Sequence, residues 1–557
     1  MLATGNNPPV EVFAPKLISA LREGYSWRKF ADDSLAGLTV AIVALPLAMA
    51  IAIASGTTPE RGLYTAIVAG FLISLLGGSR YQVGGPTAAF IVVVYATIER
   101  HGFDGLLLAT LMAGIALVLI GLLRLGTYIK YIPYPVVVGF TAGIAVSIFL
   151  TQVRDLLGLQ IDRLPAEFLG KIQALWAALP SADVLTIGVS AASLGLIIVL
   201  RRYRPTWPAF LIAVGLASLA VAAFGSGNVA TIGSQFGGVP RTLPSPSLPE
   251  FSLDKVVAVL PDAFTIMLLA GIESLLSAVI ADGMTGRRHR SNTELIAQGI
   301  ANIASVLFGG ISATGALART ATNIRSGART PVAGILHAAF LLIFMAVAAP
   351  VLSYIPLAAL GAVLAVVAWT MSDHNQFISL VRASWSDRVV VLLTFALTVF
   401  YDLTVALQVG VVLAVFIFMH RMANAVRVTP ANGTVEGTGI EIGDDQIAIY
   451  RIDGPLFFGA ATRVSDALEA AGTYPRAYII DFSAVPLADS TAASALHTFV
   501  AKARAADIEI FAANCRPQVW HVLLSLGLGP PMITHAGDLK EAIAAARASQ
   551  AERTIPA

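Results

Sequence analysis

Charged side chains are scarce in this sequence. Asp, Glu, Lys and Arg make up 13% of its 557 residues, whereas hydrophobic residues make up 56%. Soluble globular proteins carry about 25% charged residues, so this composition excludes that class and predicts a polytopic membrane protein. The net charge of +2 and the lack of a basic run with interleaved aromatic residues argue against a nucleic-acid partner.

Cysteine is nearly absent as well, since Cys515 is the only one in the sequence. A single cysteine excludes an internal disulfide bond and provides no metal cluster. The sequence also lacks a Walker loop, a nucleophile elbow and metal-ligand spacing, so it predicts neither an enzyme nor a bound cofactor. Residues 1–30 are polar and lack the short apolar core of a cleaved signal peptide.

Long apolar runs occupy most of the remaining sequence. About fourteen segments are apolar enough to enter a bilayer if the broken stretch near 314–326 is counted. Lys and Arg concentrate in alternate short loops, with the loop at 154–171 as an exception. This bias follows the positive-inside rule and predicts an inner-membrane protein with both termini in the cytoplasm. The predicted divisions are an N-terminal cytoplasmic segment (1–33), a transmembrane domain (34–427), a linker (428–438), a cytoplasmic domain (439–550) and a tail (551–557).

Charges return after the linker, and the hydrophobic pattern changes. Strands and helices are expected to alternate here, which indicates a small α/β domain. The predicted strands are 446–453, 477–482 and 509–513, and the predicted helices are 460–471, 492–506, 516–526 and 539–548.

One acid lies in the middle of an apolar run. Glu273 falls within residues 263–281, an otherwise uncharged stretch long enough to cross a bilayer. An ionised carboxylate at the centre of a membrane costs about 2.5–3.5 kcal/mol, so we expect Glu273 to face a partner, water or a ligand. Ser277 lies four residues later on the same helix face, and the pair is predicted to serve a coupling ion or proton. The alternative is a buried, neutral Glu that only packs helices together.

Two glycine-rich interruptions, at 79–90 and 309–320, break the apolar pattern in a similar way. Each falls at about the third segment of its half of the transmembrane domain. Paired interruptions at matching positions indicate a transporter site built from discontinuous helices in an inverted repeat. The alternative is two ordinary glycine-rich turns, which are common in membrane helices.

This arrangement suits an anion. A helix that begins inside the membrane exposes free N–H groups and the positive end of its dipole. Pro86 suits a first helical position, and Thr87 adds a hydroxyl donor. Arg319 can supply a cation near the same point, or it can extend to the cytoplasmic surface beside Arg325 and Arg329.

Several motifs in the transmembrane domain and in the soluble end are distinctive together. In the transmembrane domain they are 44–50 (ALPLAMA), 62–65 (GLYT), 85–90 (GPTAAF), 272–276 (IESLL) and 315–320 (GALART) followed by Asn323, and in the soluble end they are 481–486 (DFSAVP) and 489–491 (DST). With the first set the sequence resembles the sulfate permease (SulP) family of anion transporters over nearly its full length, and the bacterial branch known for C4-dicarboxylate uptake most closely. With the second set the soluble end resembles a STAS domain.

The resemblance implies a seven-plus-seven inverted repeat of the uracil-permease type, with a core domain that moves against a gate domain, in a homodimer. Glu273 and Ser277 would lie opposite the substrate site. Sodium-coupled relatives tend to have Asp at the Glu273 position and a hydroxyl near Leu317, so the resemblance favours protons over sodium. The implied substrate site consists of Thr87, Ala88 and Phe90 with Gly315, Ala316 and Ala318, and we add Arg319 as a cation near the same point.

In the STAS domain, Ser490 matches a serine that is phosphorylated in bacterial signalling relatives. A phosphate there would add charge at a helix start, although in transporters this loop is more often structural. Phosphorylation and a cytoplasmic protein partner of the STAS domain are therefore open alternatives.

The sequence thus predicts a secondary transporter that carries a small anion, such as sulfate, succinate, fumarate or aspartate, together with a proton on Glu273. Bicarbonate transport and anion exchange are alternatives with the same architecture. A nucleobase symporter would need more polar residues near 87 and 315 and normally lacks a STAS domain. A membrane receptor that binds its ligand without moving it is the alternative from another class, and a flux assay separates the two.

Overall fold

The computed structural model describes residues 13–129, 133–161, 163–205, 207–224, 229–401, 403–430, 433–434, 441–442, 447–458 and 475–554. The chain divides into two compact units, with the boundary after Val412. The first unit is helical because a segment inside lipid must satisfy its backbone hydrogen bonds internally.

The first half of this unit runs from α1 to α9. A strand and a short 3₁₀ helix, Ala88–Phe90, precede α4. The elements are α1 (Lys16–Arg22), α2 (Trp27–Ala54), α3 (Pro59–Leu76), β1 (Gly84–Gly85), α4 (Ile91–Leu122), α5 (Gly126–Ile129), α6 (Tyr134–Leu157), α7 (Phe168–Ala178), α8 (Val184–Tyr203) and α9 (Ala209–Phe224), with a second 3₁₀ helix at Leu179–Ser181.

The second half repeats this order, with a strand before a short helix. Its last helix crosses the boundary between the two units. The elements are α10 (Ile232–Phe236), α11 (Leu253–Thr285), α12 (Ser291–Leu307), β2 (Thr314–Gly315), α13 (Leu317–Arg325), α14 (Val332–Leu352), α15 (Leu357–Met371), α16 (His374–Arg382), α17 (Trp385–Phe400) and α18 (Leu403–Ala425).

The membrane segments agree with the number expected from the sequence. In the described part of the chain, 9 helices are long and apolar enough to cross a membrane. One of them is divided at Gly102, where φ is 71° and the backbone is not helical. The shorter helices α9, α12, α13 and α17 complete the set, so the prediction of a polytopic helical membrane protein is confirmed.

Helix packing relates the two halves. Helix α2 packs on α14, and its counterpart in the second half, α11, packs on α4. Likewise α3 packs on α14, and its counterpart α12 packs on α4. Helix α6 packs on α17, and its counterpart α15 packs on α8. The mirrored contacts form the predicted seven-plus-seven repeat, with a core group (α2 to α4 and α11 to α14) and a gate group (α6, α8, α9, α15 and α17).

Two buried carboxylates connect the halves of the core group. Asp33 on α2 accepts hydrogen bonds from the backbone N–H groups of residues 329 and 330, at 2.6 and 3.0 Å. Glu294 on α12 accepts hydrogen bonds from the N–H groups of residues 78 and 79, at 2.8 and 3.1 Å. Both side chains are fully buried, so each half of the repeat caps backbone of the other half.

The second unit contains a five-stranded sheet in the order β3-β6-β7-β8-β9. Strand β3 is antiparallel to β6, and the remaining pairs are parallel. Helices α19 and α20 cover one face of the sheet and α21 covers the other. The elements are β3 (Arg427–Pro430), β4 (Gly433–Thr434), β5 (Glu441–Ile442), β6 (Ile447–Asp453), β7 (Ala477–Asp481), α19 (Ser490–Ala505), β8 (Glu509–Ala513), α20 (Pro517–Ser525), β9 (Thr534–Ala536) and α21 (Leu539–Thr554).

A buried carboxylate organises the ends of the parallel strands. Asp481, at the end of β7, accepts hydrogen bonds from Arg451 at 2.8 Å, Asn514 at 2.9 Å and the backbone N–H of Ser483 at 3.0 Å. Burial alone would raise the pKa of Asp481, but the hydrogen bonds from Asn514, Ser483 and Arg451 outweigh it and lower this pKa below its usual value of 3.8. The carboxylate therefore stabilises the folded domain in its charged form.

Two predicted boundaries differ from the structure by several residues. Strand β3 occupies the start of the predicted linker at 428–438 and pairs with β6, so this part belongs to the α/β domain. Helix α2 begins at Trp27 rather than near residue 34, because the Ser26 hydroxyl caps it by accepting a hydrogen bond from Lys29 N. The helix predicted at 460–471 lies outside the described residues.

Candidate functional site

The two glycine-rich interruptions meet in the core group. Strands β1 and β2 pair antiparallel, with Gly84 opposite Gly315 and Gly85 opposite Thr314. A Cβ atom on Gly315 would overlap the side-chain amide of Gln82, and one on Gly85 would overlap the Arg319 guanidinium. Glycine is therefore required because other side chains fill the space beside this two-residue ladder. The alternative of two independent turns is wrong.

A helix begins just after each strand of the ladder. In the 3₁₀ helix, the first backbone bond runs from Phe90 N to Thr87 O at 3.1 Å, and in α13 it runs from Thr320 N to Ala316 O at 2.8 Å. The N–H groups that precede these bonds have no acceptor within their own helix. Neither Thr87 nor Ala316 caps its helix with a side chain. Both positive helix ends consequently adjoin the ladder, which favours a bound anion.

A hydroxyl group of α11 forms hydrogen bonds with the ladder. Ser274 Oγ lies 2.7 Å from Thr314 Oγ1 and accepts a hydrogen bond from Gly315 N at 3.2 Å. Ala316 N also donates to Val83 O at 2.9 Å. Ser274 and Thr314 are site residues that we did not predict, although Ser274 directly follows Glu273 in one of the motifs.

Glu273 lies beside the first helix start. Thr87 Oγ1 donates a hydrogen bond to Glu273 Oε2 at 3.3 Å. Thr87 is buried, whereas Glu273 is partly exposed. The carboxyl group thus has a neutral hydroxyl as its hydrogen-bond donor instead of a cation, and Thr87, which we expected to donate to the anion, donates to this carboxyl group.

Ser277 has a different contact from the one we expected. Its hydroxyl is buried and donates to Thr320 Oγ1 at 3.2 Å, and the same Thr320 oxygen accepts a hydrogen bond from Val83 N at 3.1 Å. Through Thr320, Ser277 therefore joins α11 to α13 and to Val83, the residue that precedes β1. Its hydroxyl is not directed to the Glu273 carboxyl, although both side chains leave α11 on related faces.

Arg319 lies inside the core group. Its side chain is 2% exposed, and its Nη2 atom donates to Pro86 O at 3.1 Å. The alternative in which it extends to the surface is wrong, because α13 begins at the ladder and its third residue is still deep in the protein. Arg325 and Arg329 are the exposed members of this basic group. Pro86 precedes the 3₁₀ helix by two residues, so it does not occupy the first helical position that we predicted for it.

The remaining predicted residues are distributed around the same ladder. Ala88 and Phe90 form the buried 3₁₀ turn, and Ala316 is the buried residue that precedes α13. Ala318 is exposed on the first turn of α13. The site therefore combines two helix beginnings, one buried cation and one carboxyl group, which can hold an anion and exchange a proton.

In the second unit, Ser490 is the first residue of α19 and is exposed. Asp489 caps this helix by accepting a hydrogen bond from Ala492 N at 2.8 Å. The serine hydroxyl is accessible for modification, and its phosphorylation stays a prediction.

Comparison with known proteins agrees with this architecture. The family model described as the sulfate permease family matches residues 30–394, and the STAS domain matches residues 442–542. The putative sulfate transporter YvdB of Bacillus subtilis is 41% identical over 507 residues, which is 91% of this chain and 95% of the relative. The bicarbonate transporter BicA of Synechocystis is 30% identical, covering 86% of this chain and 87% of the relative. The solved structure of SLC26A9 superposes with a TM-score of 0.86 at 18% identity, covering 98% of this chain and 94% of that structure.

Proposed function

Because this chain belongs to the sulfate permease family of anion transporters, we propose that it is a secondary transporter that couples the movement of a small anion to a proton on Glu273. This is a family of transporters, not of enzymes. The proposal is carried by one observation, the β1–β2 ladder from which two helices begin beside the Thr87–Glu273 hydrogen bond.

The anion would bind at the two helix starts. The first-turn N–H groups offer donors without the desolvation cost of several formal charges. Arg319 supplies the only full cation that we assign to the site, and it is held in place through Pro86 O. The substrate-binding residues in this proposal are Thr87, Ala88, Phe90, Gly315, Ala316, Ala318 and Arg319.

The proton would bind to Glu273. Moving a carboxylate through the apolar interior of the membrane is costly while it is charged and far less costly once it is protonated. Protonation would therefore permit the core group to move against the gate group with its anion, and loss of the proton on the cytoplasmic side would reset the cycle. The neutral partner Thr87 supports this role, because its hydroxyl can donate to the charged form and accept from the protonated one.

Sulfate is the first candidate substrate, because the relative YvdB, which covers nearly the whole chain, is named a putative sulfate transporter. Bicarbonate is the second candidate, since the BicA relatives are named bicarbonate transporters. Succinate, fumarate and aspartate complete the set, on the resemblance to the dicarboxylate branch. The apolar Leu317 at the start of α13 favours a proton over sodium as coupling ion.

The expected setting is the inner membrane with both termini in the cytoplasm, in keeping with the distribution of Lys and Arg. We further propose an elevator or rocking motion of the core group and assembly as a homodimer. Exchange of one anion for another is the competing mode of transport, and a receptor that binds without transport is the competing class of function.

Uptake by proteoliposomes tests the proposal. Radiolabelled sulfate, bicarbonate, succinate, fumarate and aspartate would be offered with and without an inward proton gradient, and with and without sodium. We expect the proton gradient to drive uptake of one of these anions in the absence of sodium. Binding without uptake would instead indicate the receptor.

Glu273→Gln tests the coupling role. The amide keeps a hydrogen-bonding partner for Thr87 but cannot exchange a proton, so we expect gradient-driven uptake to fall at least about tenfold while the anion still binds. Glu99→Gln is the matched control, because that carboxylate is exposed, and it should leave uptake unchanged. Full acid-dependent uptake by Glu273→Gln would show that the proton binds elsewhere.

A further inference from the structure

His337 is a buried histidine that the site described above does not use. It lies on α14 and is 0% exposed, and among the described residues neither of its ring nitrogens has a hydrogen-bond partner. Arg319 is in a similar position, since its Nε and Nη1 atoms have no partner in the described part of the chain. Buried polar groups are nearly always hydrogen-bonded, so these two side chains require an explanation.

The two side chains adjoin the same edge of the β1–β2 ladder. A Cβ atom on Gly70 would lie 3.7 Å from His337 Cε1 and 3.1 Å from Gly84 O. The next residue, Gly85, faces the guanidinium group of Arg319, whose Cζ would lie 3.5 Å from a Cβ on that glycine. His337 therefore lies near Gly84 and Arg319 lies near Gly85, so the two side chains adjoin consecutive residues of β1.

We propose that water bridges Arg319 to His337 in this region, and that His337 is a positioning residue for the guanidinium group. This inference rests on the proposed anion site. A water molecule accepts a hydrogen bond from an Arg319 N–H and donates to the unprotonated ring nitrogen and to Gly84 O, which gives it the three partners typical of buried water. Phe and other apolar residues of similar size cannot replace the ring nitrogen.

The bridge would fix the orientation of Arg319. The bond from Nη2 to Pro86 O holds one corner of the guanidinium plane, and a second bond on another nitrogen prevents rotation about the first. Because Pro86 precedes Thr87, the orientation of Arg319 and the start of the 3₁₀ helix are linked. Loss of His337 should therefore weaken anion binding more than it slows transport.

A mutant series in proteoliposomes tests this role. We expect His337→Phe to raise the KM for the transported anion about tenfold, the size typical of one lost hydrogen bond to a charged group, with the maximal rate changed less than about twofold. His337→Asn places a polar atom near Nδ1, and His337→Gln places one near Nε2. One of the two should restore the KM to within about threefold of wild type.

The double variant with Arg319→Gln separates positioning from packing. If His337 acts through Arg319, adding His337→Phe to Arg319→Gln should not raise the KM further. Additive effects, an unchanged KM in His337→Phe, or failure of both polar replacements to restore it would overturn the proposal. A wild-type protein that transports none of the anions would overturn the proposed function instead.

A spectroscopic measurement tests the bridge without transport. Among the 8 histidines, the ¹⁵N signals of His337 can be assigned in labelled protein by their loss in His337→Asn. We expect Arg319→Gln to shift them, whereas Arg325→Gln, which changes an exposed arginine of the same helix, should not. Identical His337 signals in the wild type and in Arg319→Gln would overturn the proposal even if His337→Phe did not fold.

Discussion

Gly315→Ala is the most direct perturbation of the ladder. The new methyl group would lie 3.1 Å from Gln82 Cγ and would overlap the amide beyond it. Gln82 is itself 3% exposed, so its side chain has little room to move aside. Overpacking of this kind costs about 1–3 kcal/mol. We therefore expect Gly315→Ala to destabilise the first unit by about 2 kcal/mol.

The same change should impair anion binding. The backbone N–H of Gly315 donates to Ser274 Oγ, and a strand displaced by the methyl group would carry the start of α13 with it. Thermal unfolding in detergent and anion uptake in proteoliposomes measure the two effects. Gly195→Ala on α8 is the control, because a Cβ there would meet nothing within 4 Å, and it should change stability by less than about 0.5 kcal/mol.

A second substitution shows whether the overlap is the cause. Adding Gln82→Ala removes the atoms that the methyl group would meet, so Gly315→Ala/Gln82→Ala should recover most of the lost stability. If the double variant is as unstable as the sum of the two single variants, the explanation by steric overlap is refuted. Unchanged stability in the single variant Gly315→Ala would also refute this explanation, without the double variant.

Further predictions concern four other side chains. Thr87→Val keeps the size of the side chain but removes the donor to Glu273, so we expect uptake to fall about tenfold, with an altered pH–rate profile as the readout. Asp33→Ala removes the acceptor for two backbone N–H groups and should lower thermal stability by about 2–3 kcal/mol. The pKa of Asp481 is lowered on folding, so its stabilisation is present above about pH 4 and is lost as the pH falls through the folded pKa; Asp481→Asn should abolish this acid dependence in denaturant titrations. Burial raises the pKa of Cys515 to about 12, so maleimide should label it slowly at neutral pH and rapidly after unfolding.

Composition and spacing were sufficient to predict the architecture. Apolar runs long enough to cross a bilayer predict helices irrespective of what they contact, and the glycine-rich interruptions marked both strands of the ladder. Glu273 was identified because a charge in an apolar run is conspicuous.

The contacts of the site were not predictable in the same way. Ser274 and Ser277 are ordinary residues of membrane helices, and the roles of these serines and of His337 depend on which segment packs beside them. Thr87 and Glu273 are 186 residues apart in sequence, so no local pattern indicates that they are hydrogen-bonded. The hydroxyl of Ser277 donates to Thr320, which lies 43 residues away in the sequence, so no local pattern indicates this contact either.

The crossed capping by Asp33 and Glu294 limits how this protein can change shape. Each carboxylate accepts hydrogen bonds from the backbone of the opposite repeat. Separating the two repeats would therefore leave two buried carboxylates without these hydrogen bonds. In the proposed transport cycle, the core group should therefore stay intact and move as a single unit. The anion would then stay in an unchanged binding site, and only the contacts between the core group and the gate group would change.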